Sequence, residues 1–147
     1  MPDQAGARND PSAKQCGQRV ITSIDHIVLT VKSIEETLKF YTRCLGMAEV
    51  TFGKGRKALV FGRHYQKINL HQSGNEFLPK ARNATPGSAD LCFVASIPLE
   101  EAMLRLRDNG VPIEEGPVER TGAMGKIRSV YVRDPDGNLL EISEYVE

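Results

Sequence analysis

Apolar runs and turn residues in the first half of the chain follow the order strand, helix, strand, strand, strand. Residues 24–31 are apolar and largely β-branched, which is typical of a strand. Ser33 and Glu36 have the spacing of a capping box, and apolar positions then recur at helical spacing up to Leu45, just before Gly46. Three shorter strands are predicted at about residues 47–52, 56–61 and 66–72.

The second half of the chain begins the same order again. Residues 90–95 predict a strand, Pro98 stands where the first residue of a helix is favoured, and Gly110 ends the apolar stripe that follows. The turn residues 134–138, DPDGN, join two final strands. These two strands are predicted at about residues 126–132 and 138–146.

Two sequence shifts make this repetition explicit. A shift of 64 residues lays His26 on Asp90 and Gly46 on Gly110, and a shift of 72 lays Asn69 on Glu141. The pattern therefore predicts an internal duplication of a β-α-β-β-β module. We expect an α+β fold in which two βαβββ modules form a curved mixed sheet, with the helices outside it and a metal-binding cavity inside.

The remaining segments carry little periodic signal. Residues 1–21 are polar and are predicted to be a disordered tail, and residues 73–88 to be a long surface crossing. Residues 22–147 are then expected to form a single domain, with modules at about 23–72 and 89–146.

Composition narrows the function classes. Basic and acidic residues are equal in number, 19 of each, which favours neither nucleic acid nor an anionic membrane as partner. No apolar run has the length of a membrane span or of a secretion signal. The three cysteines are widely spaced and lack a CxxC pair, which argues against disulfides and a thiolate zinc site and favours a reduced cytoplasmic location. Cys92, between Leu91 and Phe93, is predicted to pack in the core.

Strand alternation predicts which polar side chains share a surface. In the first strand the apolar set next to the helix contains Ile27 and Leu29, so His26 faces the concave side. The same reasoning directs Asn69, His71, Asp90 and Glu141 to that side. Two imidazoles and two carboxylates on one surface favour a divalent ion such as Zn, Ni, Co, Fe or Mn.

Each of these residues also has a purely structural interpretation. His26 can be a hydrogen-bonded histidine at the start of a strand, and Glu141 a solvated strand residue. His71 can lie at a polar strand end, and Asp90 can accept a hydrogen bond from the turn at residues 86–88. The duplication favours the shared site, because it brings His26 and Asp90 to equivalent positions.

Five segments of the chain also resemble a known family. DHIVLTVKSIEETLKFYTRCLGM and VYVRDPDGNLLEI are similar to the vicinal oxygen chelate superfamily, which contains glyoxalase I, extradiol dioxygenases, fosfomycin resistance proteins and bleomycin-binding proteins. KINLHQSGNEFLPKA, PGSADLCFV and IEEGPVERTGAMG resemble a bacterial glyoxalase-like group often labelled virulence proteins, and the animal glyoxalase domain-containing protein 5 group. The resemblance covers about residues 23–146.

The resemblance implies a metal held by His26 and Glu141, with Glu141 as the catalytic base. Asp90 stands where a histidine ligand is common, and it is the second candidate for both metal ligand and catalytic base. Asn69 replaces the fourth-strand glutamate of glyoxalase I, and His71 on the same face is the candidate that restores a ligand. The candidates for holding the substrate are Asn69 and, for its carboxylate, Arg56, Lys57, Arg120, Lys126 and Arg128.

Several functions fit this set of residues. The resemblance favours a metal-dependent glyoxalase-like lyase or isomerase, similar to lactoylglutathione lyase, acting on a small oxygenated or thiol-adduct substrate. The alternatives are an Fe(II) extradiol-type dioxygenase, a metal-independent drug-binding or resistance protein, and a dimeric scaffold. A homodimer is expected, with each site formed either within one chain or between two chains.

Overall fold

A computed structural model describes residues 18–147 of the chain. Residues 1–17, most of the predicted tail, lie outside the described residues. Residues 18–25 precede the first strand and are exposed, including Val20, Ile21 and Ile24. Within residues 18–147, no helix is both long and apolar enough to cross a membrane.

The elements follow the predicted order. The first module contains β1 (His26–Val31), α1 (Ile34–Leu45), β2 (Ala48–Phe52), β3 (Arg56–Phe61) and β4 (Gln66–Gln72). The second contains β5 (Asp90–Val94), α2 (Leu99–Asp108), β6 (Glu115–Gly122), β7 (Gly125–Arg133) and β8 (Leu139–Tyr145).

The strand registers of the two modules match. Each module forms a four-stranded sheet, in the orders β1-β4-β3-β2 and β5-β8-β7-β6, with one parallel pair, β1 with β4 or β5 with β8. His26 lies opposite Lys67 in the first parallel pair, and Asp90 lies opposite Leu139 in the second. The α+β class and the duplication of a βαβββ module are confirmed.

The arrangement of the two sheets differs from the single curved sheet predicted from the sequence. No strand pairing joins the two sheets within residues 18–147. One hydrophobic cluster instead combines both helices with the helix-covered face of each sheet, so the helices line a core that the modules share. The opposite face of each sheet, which we call its open face, leaves Val28 45% and Val94 60% exposed.

The ends of α1 largely follow the sequence signals. The Ser33 hydroxyl accepts a hydrogen bond from the Glu36 backbone N–H at 3.2 Å, and Gly46 adopts a left-handed φ of 69° at the other end. Only half of the capping box forms, because the Glu36 carboxylate lies 3.6 Å from the Lys39 ammonium instead.

The start of α2 is capped by a side chain that is distant in sequence. Pro98 precedes the first helical residue rather than occupying that position, and it offers no side-chain cap. The Glu144 carboxylate accepts the Leu99 N–H at 3.0 Å in its place. Hydrogen bonds from Arg128 and from this N–H lower the pKa of Glu144.

The turn between β7 and β8 ties the two modules together. Asp134 is buried and accepts hydrogen bonds from the Asp136 and Asn138 backbones and from the Asn138 amide. It also accepts the Tyr41 hydroxyl of α1 at 2.7 Å. The turn therefore fixes α1 against the second module.

Strand β6 has no bounds in the sequence prediction. Its sequence, EGPVERTG, contains two glycines, a proline and three charged residues, and it has no apolar alternation. It is an edge strand whose ladder with β7 is interrupted between Glu115 and Val118. Pairing with β7, rather than local preference, makes this segment a strand.

Candidate functional site

His26 begins β1 on the open face of the first sheet. Its ring is exposed, and its Nδ1 lies 2.7 Å from an Asp25 carboxylate oxygen. A carboxylate at one ring nitrogen fixes the orientation and tautomer of a histidine and leaves the other nitrogen available. His26 therefore offers an oriented Nε2 at the surface.

Asn69 and His71 follow on β4 and face the same side, but both are buried. The Asn69 amide forms no hydrogen bond with residues 18–147, and its Oδ1 is fully buried without a partner. His71 Nε2 lies 3.5 Å from an Arg56 guanidinium nitrogen, at the long end of hydrogen-bond distances. Burial and the Arg56 charge lower the pKa of His71, so its imidazole is neutral at pH 7.

Aromatic rings hold the cations of this face. The Arg56 guanidinium lies 4.9 Å from the Phe52 ring centre and 4.5 Å from that of Phe77, and the Lys67 ammonium lies 3.6 Å from that of Phe52. Phe77 belongs to the crossing between the modules and also meets the His71 ring edge-on at 5.5 Å. The crossing therefore covers part of the open face of the first sheet.

Glu141 is the centre of the open face of the second sheet. Its Oε2 accepts a hydrogen bond from the Ser129 hydroxyl at 2.6 Å and contacts Ser143 Oγ at 3.4 Å. The two serines are fully buried, with their hydroxyls 2.6 Å apart. Glu141 Oε1 has no hydrogen-bond partner within residues 18–147, so one oxygen is anchored and the other is available.

Asp90 and Cys92 share this face with Glu141. Asp90 is exposed, and its carboxylate accepts no hydrogen bond from the described residues, including the turn at residues 86–88. Cys92 lies opposite Glu141 in the parallel ladder, with its Sγ 3.3 Å from Ser143 Oγ. The prediction that Cys92 packs in the core is wrong, because alternation directs Leu91 and Phe93 to the core and Cys92 to the exposed side.

The arginines that were candidates for substrate binding lie on different surfaces. Arg120 lines a cavity of about 430 Å³ together with Glu141, and its guanidinium contacts Tyr131 and pairs with Glu115. Arg128 points to the helix-covered side of its strand, where it pairs with Glu100 and Glu144. The fold thus places Arg120, but not Arg128, in the lining of the same cavity as Glu141.

The two remaining basic candidates, Lys57 and Lys126, also have protein partners. Lys57 pairs with Glu49 at 3.0 Å, and Lys126 lies 3.6 Å from Glu119. Neither forms a described contact with the candidate metal ligands.

The candidate ligands are therefore divided between two surfaces. His26 and His71 lie on the first sheet, and Asp90 and Glu141 lie on the second. Within residues 18–147 of one chain, no three His, Cys, Asp or Glu side chains come close enough to hold a metal ion. An imidazole with an available nitrogen, as in His26, and a carboxylate with an available oxygen, as in Glu141, are donor types that divalent ions bind, whereas His71 Nε2 faces a guanidinium that would have to move first.

Comparison with known proteins identifies the family. The sequence profile of the glyoxalase/bleomycin resistance protein/dioxygenase superfamily matches residues 23–142. The chain belongs to this superfamily. The match spans both modules, as the sequence resemblance predicted.

Two relatives share more than half of their aligned residues with this superfamily member. Virulence protein STM3117 of Salmonella typhimurium (strain LT2) is 57% identical over 129 residues, which cover 88% of each chain. Glyoxalase domain-containing protein RDO1 of Mycosarcoma maydis is 54% identical over 132 residues, covering 90% of this chain and 73% of the relative. The predicted resemblance to the virulence-protein group is confirmed.

Solved structures share the fold. The crystal structure of the Salmonella virulence protein superimposes with a TM-score of 0.84 and covers 87% of this chain and 100% of that chain. A lactoylglutathione lyase from Agrobacterium tumefaciens has a TM-score of 0.64 at 24% identity, covering 86% of this chain and 96% of that one. At that identity the likeness concerns the fold alone.

Sequence reasoning missed the two serines behind Glu141 and the Lys67–Phe52 contact. The shift of 72 residues that aligns Asn69 with Glu141 also aligns His71 with Ser143. Because His71 is a candidate site residue, this alignment indicates that Ser143 also lies on the face that carries Glu141. Ser129 needs the β7–β8 register, in which it lies opposite Ser143.

Proposed function

We propose that this superfamily member is a metal-dependent lyase or isomerase of the glyoxalase type, acting on a small oxygenated or thiol-adduct substrate. The observation that carries the proposal is the pair of incomplete ligand sets on the two open faces. Each set contains a donor with one anchored and one available atom, His26 in the first and Glu141 in the second.

A homodimer would complete the site. In the proposed arrangement, the open face of the first sheet of one protomer meets the open face of the second sheet of its partner. His26, with Asn69 and His71, then faces Asp90 and Glu141 across the interface. The exposure of Val28 and Val94 supports this pairing, because burying apolar side chains favours association.

A divalent ion such as Zn, Ni, Co, Fe or Mn, when bound, would supply Lewis-acid polarisation of two neighbouring substrate oxygens. His26 and Glu141 would hold it, with Asp90 as the third ligand and His71 as a fourth only after Arg56 moves. The chemistry of this donor set, imidazole and carboxylate without thiolate, fits these ions.

Glu141 would move a proton between adjacent carbons of the substrate. The Glu141 oxygen that has no partner within residues 18–147 would serve in turn as metal ligand and as proton acceptor, while Ser129 holds the other oxygen in place. Asp90 is the second candidate for this role, because it is exposed on the same face. Arg120 would contact the substrate from the edge strand β6.

The relatives support the family rather than the reaction. Neither of the two names, virulence protein and glyoxalase domain-containing protein, states a substrate. Cys44 and Cys92 are both free thiols, and on this basis we propose a cytoplasmic location.

Metal content of the full chain, purified without added metal, tests this function directly. We expect a stoichiometric divalent ion, and a loss of at least tenfold in metal affinity in both His26→Ala and Glu141→Ala with an unchanged circular dichroism spectrum. Stoichiometric binding of unchanged affinity in both variants would refute the ligand assignment.

Mixing the two variants tests where the site is formed. If the site lies between chains, a heterodimer of His26→Ala and Glu141→Ala protomers has one intact and one doubly altered site, so part of the metal binding returns. A dimer without recovery on mixing would place each site within one chain. A monomer at micromolar concentration in sedimentation would refute the dimer.

A metal-independent small-molecule binding protein is the second candidate. The contact between Arg56 and His71 Nε2 favours it, because the guanidinium occupies the direction from which a ligand histidine would bind metal. The same metal analysis separates the two functions, since a metal-independent binding protein would contain no stoichiometric divalent ion.

A further inference from the structure

The two modules place different groups at equivalent positions of their open faces. By strand register, Asn69 of the first module corresponds to Glu141 of the second, and His71 corresponds to Ser143. Arg56, which contacts His71, corresponds to Ser129, which contacts Ser143. The open face of the first sheet thus carries basic and amide side chains at the positions where the open face of the second sheet carries a carboxylate and two hydroxyls.

In the second module the donors find their acceptor within the protein. Ser129 donates to the Glu141 carboxylate at 2.6 Å, and Ser143 bonds to Ser129. In the first module the donors have no such acceptor, because Asn69 carries an amide where Glu141 carries its charge. The Asn69 amide itself makes no hydrogen bond within residues 18–147, and such groups in proteins are normally satisfied.

The cations of the first module also lack a counter-charge. Neither Arg56 nor Lys67 forms an ion pair with a carboxylate of the described residues, whereas the neighbouring Lys57 pairs with Glu49 at 3.0 Å. Both cations contact the Phe52 ring instead. Two partly buried like charges that share one ring repel each other, and an anion placed between them relieves that repulsion.

The geometry of Arg56 suits a planar anion. Its guanidinium contacts Phe52 and Phe77, which restricts its orientation before any ligand arrives. The 3.5 Å contact to His71 Nε2 involves one nitrogen of the guanidinium, and its other N–H groups have no acceptor among the described residues. A carboxylate matches the guanidinium fork through two parallel hydrogen bonds.

We propose that Arg56, Lys67 and Asn69 form a carboxylate-binding subsite for a small organic acid. The carboxylate of the ligand occupies, in the first module, the place that the Glu141 carboxylate occupies in the second. Arg56 binds it through its fork, Lys67 adds a second positive charge, and Asn69 Oδ1 accepts a hydrogen bond from a hydroxyl beside the carboxylate. The subsite rests on the proposed function and gives its substrate class as a small organic acid. Binding of the carboxylate itself requires no metal.

Binding of lactate and lactamide to the chelator-treated full chain tests this subsite. The two probes share a carbon skeleton and a hydroxyl and differ in the charge of one group. Titration followed by nuclear magnetic resonance should give a dissociation constant at least tenfold lower for lactate than for lactamide. Equal affinity for the two probes would overturn the proposal.

Variants of one strand supply the matched control. Arg56→Gln should weaken lactate binding at least tenfold and leave lactamide unchanged. Lys57→Gln, on the other face of the same strand, should change neither affinity. Unchanged lactate binding in Arg56→Gln, or an equal loss in Lys57→Gln, would refute the assignment. Should Arg56→Gln fail to fold, Lys67→Gln provides the test, with at least a threefold loss expected and unchanged lactate affinity refuting the subsite.

These outcomes are independent of the metal. Selective lactate binding by the chelator-treated chain, together with no stoichiometric metal in the chain as purified, would support the subsite and refute the metal-dependent function. Stoichiometric metal without selectivity between the two probes would do the reverse.

Discussion

The hydrogen bond between Tyr41 and Asp134 joins the two modules, and replacing Tyr41 by Phe isolates its contribution to stability. Tyr41 is fully buried, and its hydroxyl donates to Asp134 Oδ2 at 2.7 Å. The Phe ring retains the packing of α1 in the core and removes only the hydroxyl. Asp134 keeps its bonds from the Asn138 amide and from two backbone N–H groups.

The expected cost follows from the charge and from the remaining partners of Asp134. A hydrogen bond to a charged group contributes about 1.5–3 kcal/mol to stability. Because Asp134 stays partly satisfied in the variant, we expect the lower part of that range, about 1.5–2 kcal/mol. For a chain of this length the melting temperature should fall by about 3–8 °C.

Urea unfolding of Tyr41→Phe, at a fixed protein concentration, measures this cost. Tyr65→Phe is the matched control, because Tyr65 is 79% exposed and we expect a change within about 0.5 kcal/mol. An equally small change for Tyr41→Phe would refute the link between the modules.

Alkaline pH provides a second measurement of the same contact. Burial, and then the Asp134 charge, raise the pKa of Tyr41 above its ordinary value of 10.0. The folded protein therefore retains the proton more strongly than the unfolded chain, so this contribution is complete below about pH 10 and is lost above it. The wild type should lose stability above pH 10 more steeply than Tyr41→Phe, and equal slopes would contradict the assignment.

Three further predictions concern the sites. Burial and Arg56 lower the pKa of His71, so the contribution of the neutral imidazole to stability should be complete above about pH 6.5 and be lost below it. His71→Gln should therefore flatten the dependence of the urea midpoint on pH between about pH 5 and 8, and an unchanged slope would count against this. Ser129→Ala should weaken zinc binding about tenfold in a chelator competition, and an unchanged affinity would remove Ser129 from the site. Gly87→Ala should lower the free energy of unfolding in urea by about 2–4 kcal/mol, because the added Cβ would lie 2.5 Å from a backbone oxygen. Gly62→Ala should lower it by about 1 kcal/mol, because its Cβ meets nothing within 4 Å, and equal costs would contradict the steric argument.

Much of the fold was predictable because its signals are local. Alternation along β1 separates His26 from Leu29, and the capping and glycine signals fix both ends of α1. Cys92 departs from its prediction because the same alternation in β5 turns its apolar neighbours toward the core and Cys92 away from it. Strand β6 was not located because its edge position tolerates glycine, proline and charge, and a ladder with β7 decides its conformation.

The candidate site was only partly predictable. The family motifs and alternation lead to His26 and Glu141, and the structure adds what anchors them, Asp25 in one case and Ser129 in the other. The partners of a side chain depend on strand register and on its rotamer, and the pattern of residues along the chain determines neither. For this reason Arg56 and Arg128 look alike in the sequence, although one contacts aromatic rings and the other pairs with two carboxylates.

The sequence by itself determined the duplicated modules and, in the strands that it predicted, the side on which a residue lies, because both follow from periodicity within single elements. The tertiary structure decided that each module forms its own sheet, that both helices enter a shared core, and that the two sets of candidate ligands lie on separate open faces. These features depend on long-range contacts such as Tyr41 with Asp134, which are 93 residues apart. Packing free energy selects among such contacts, and a local pattern of apolar and polar residues is compatible with several of them.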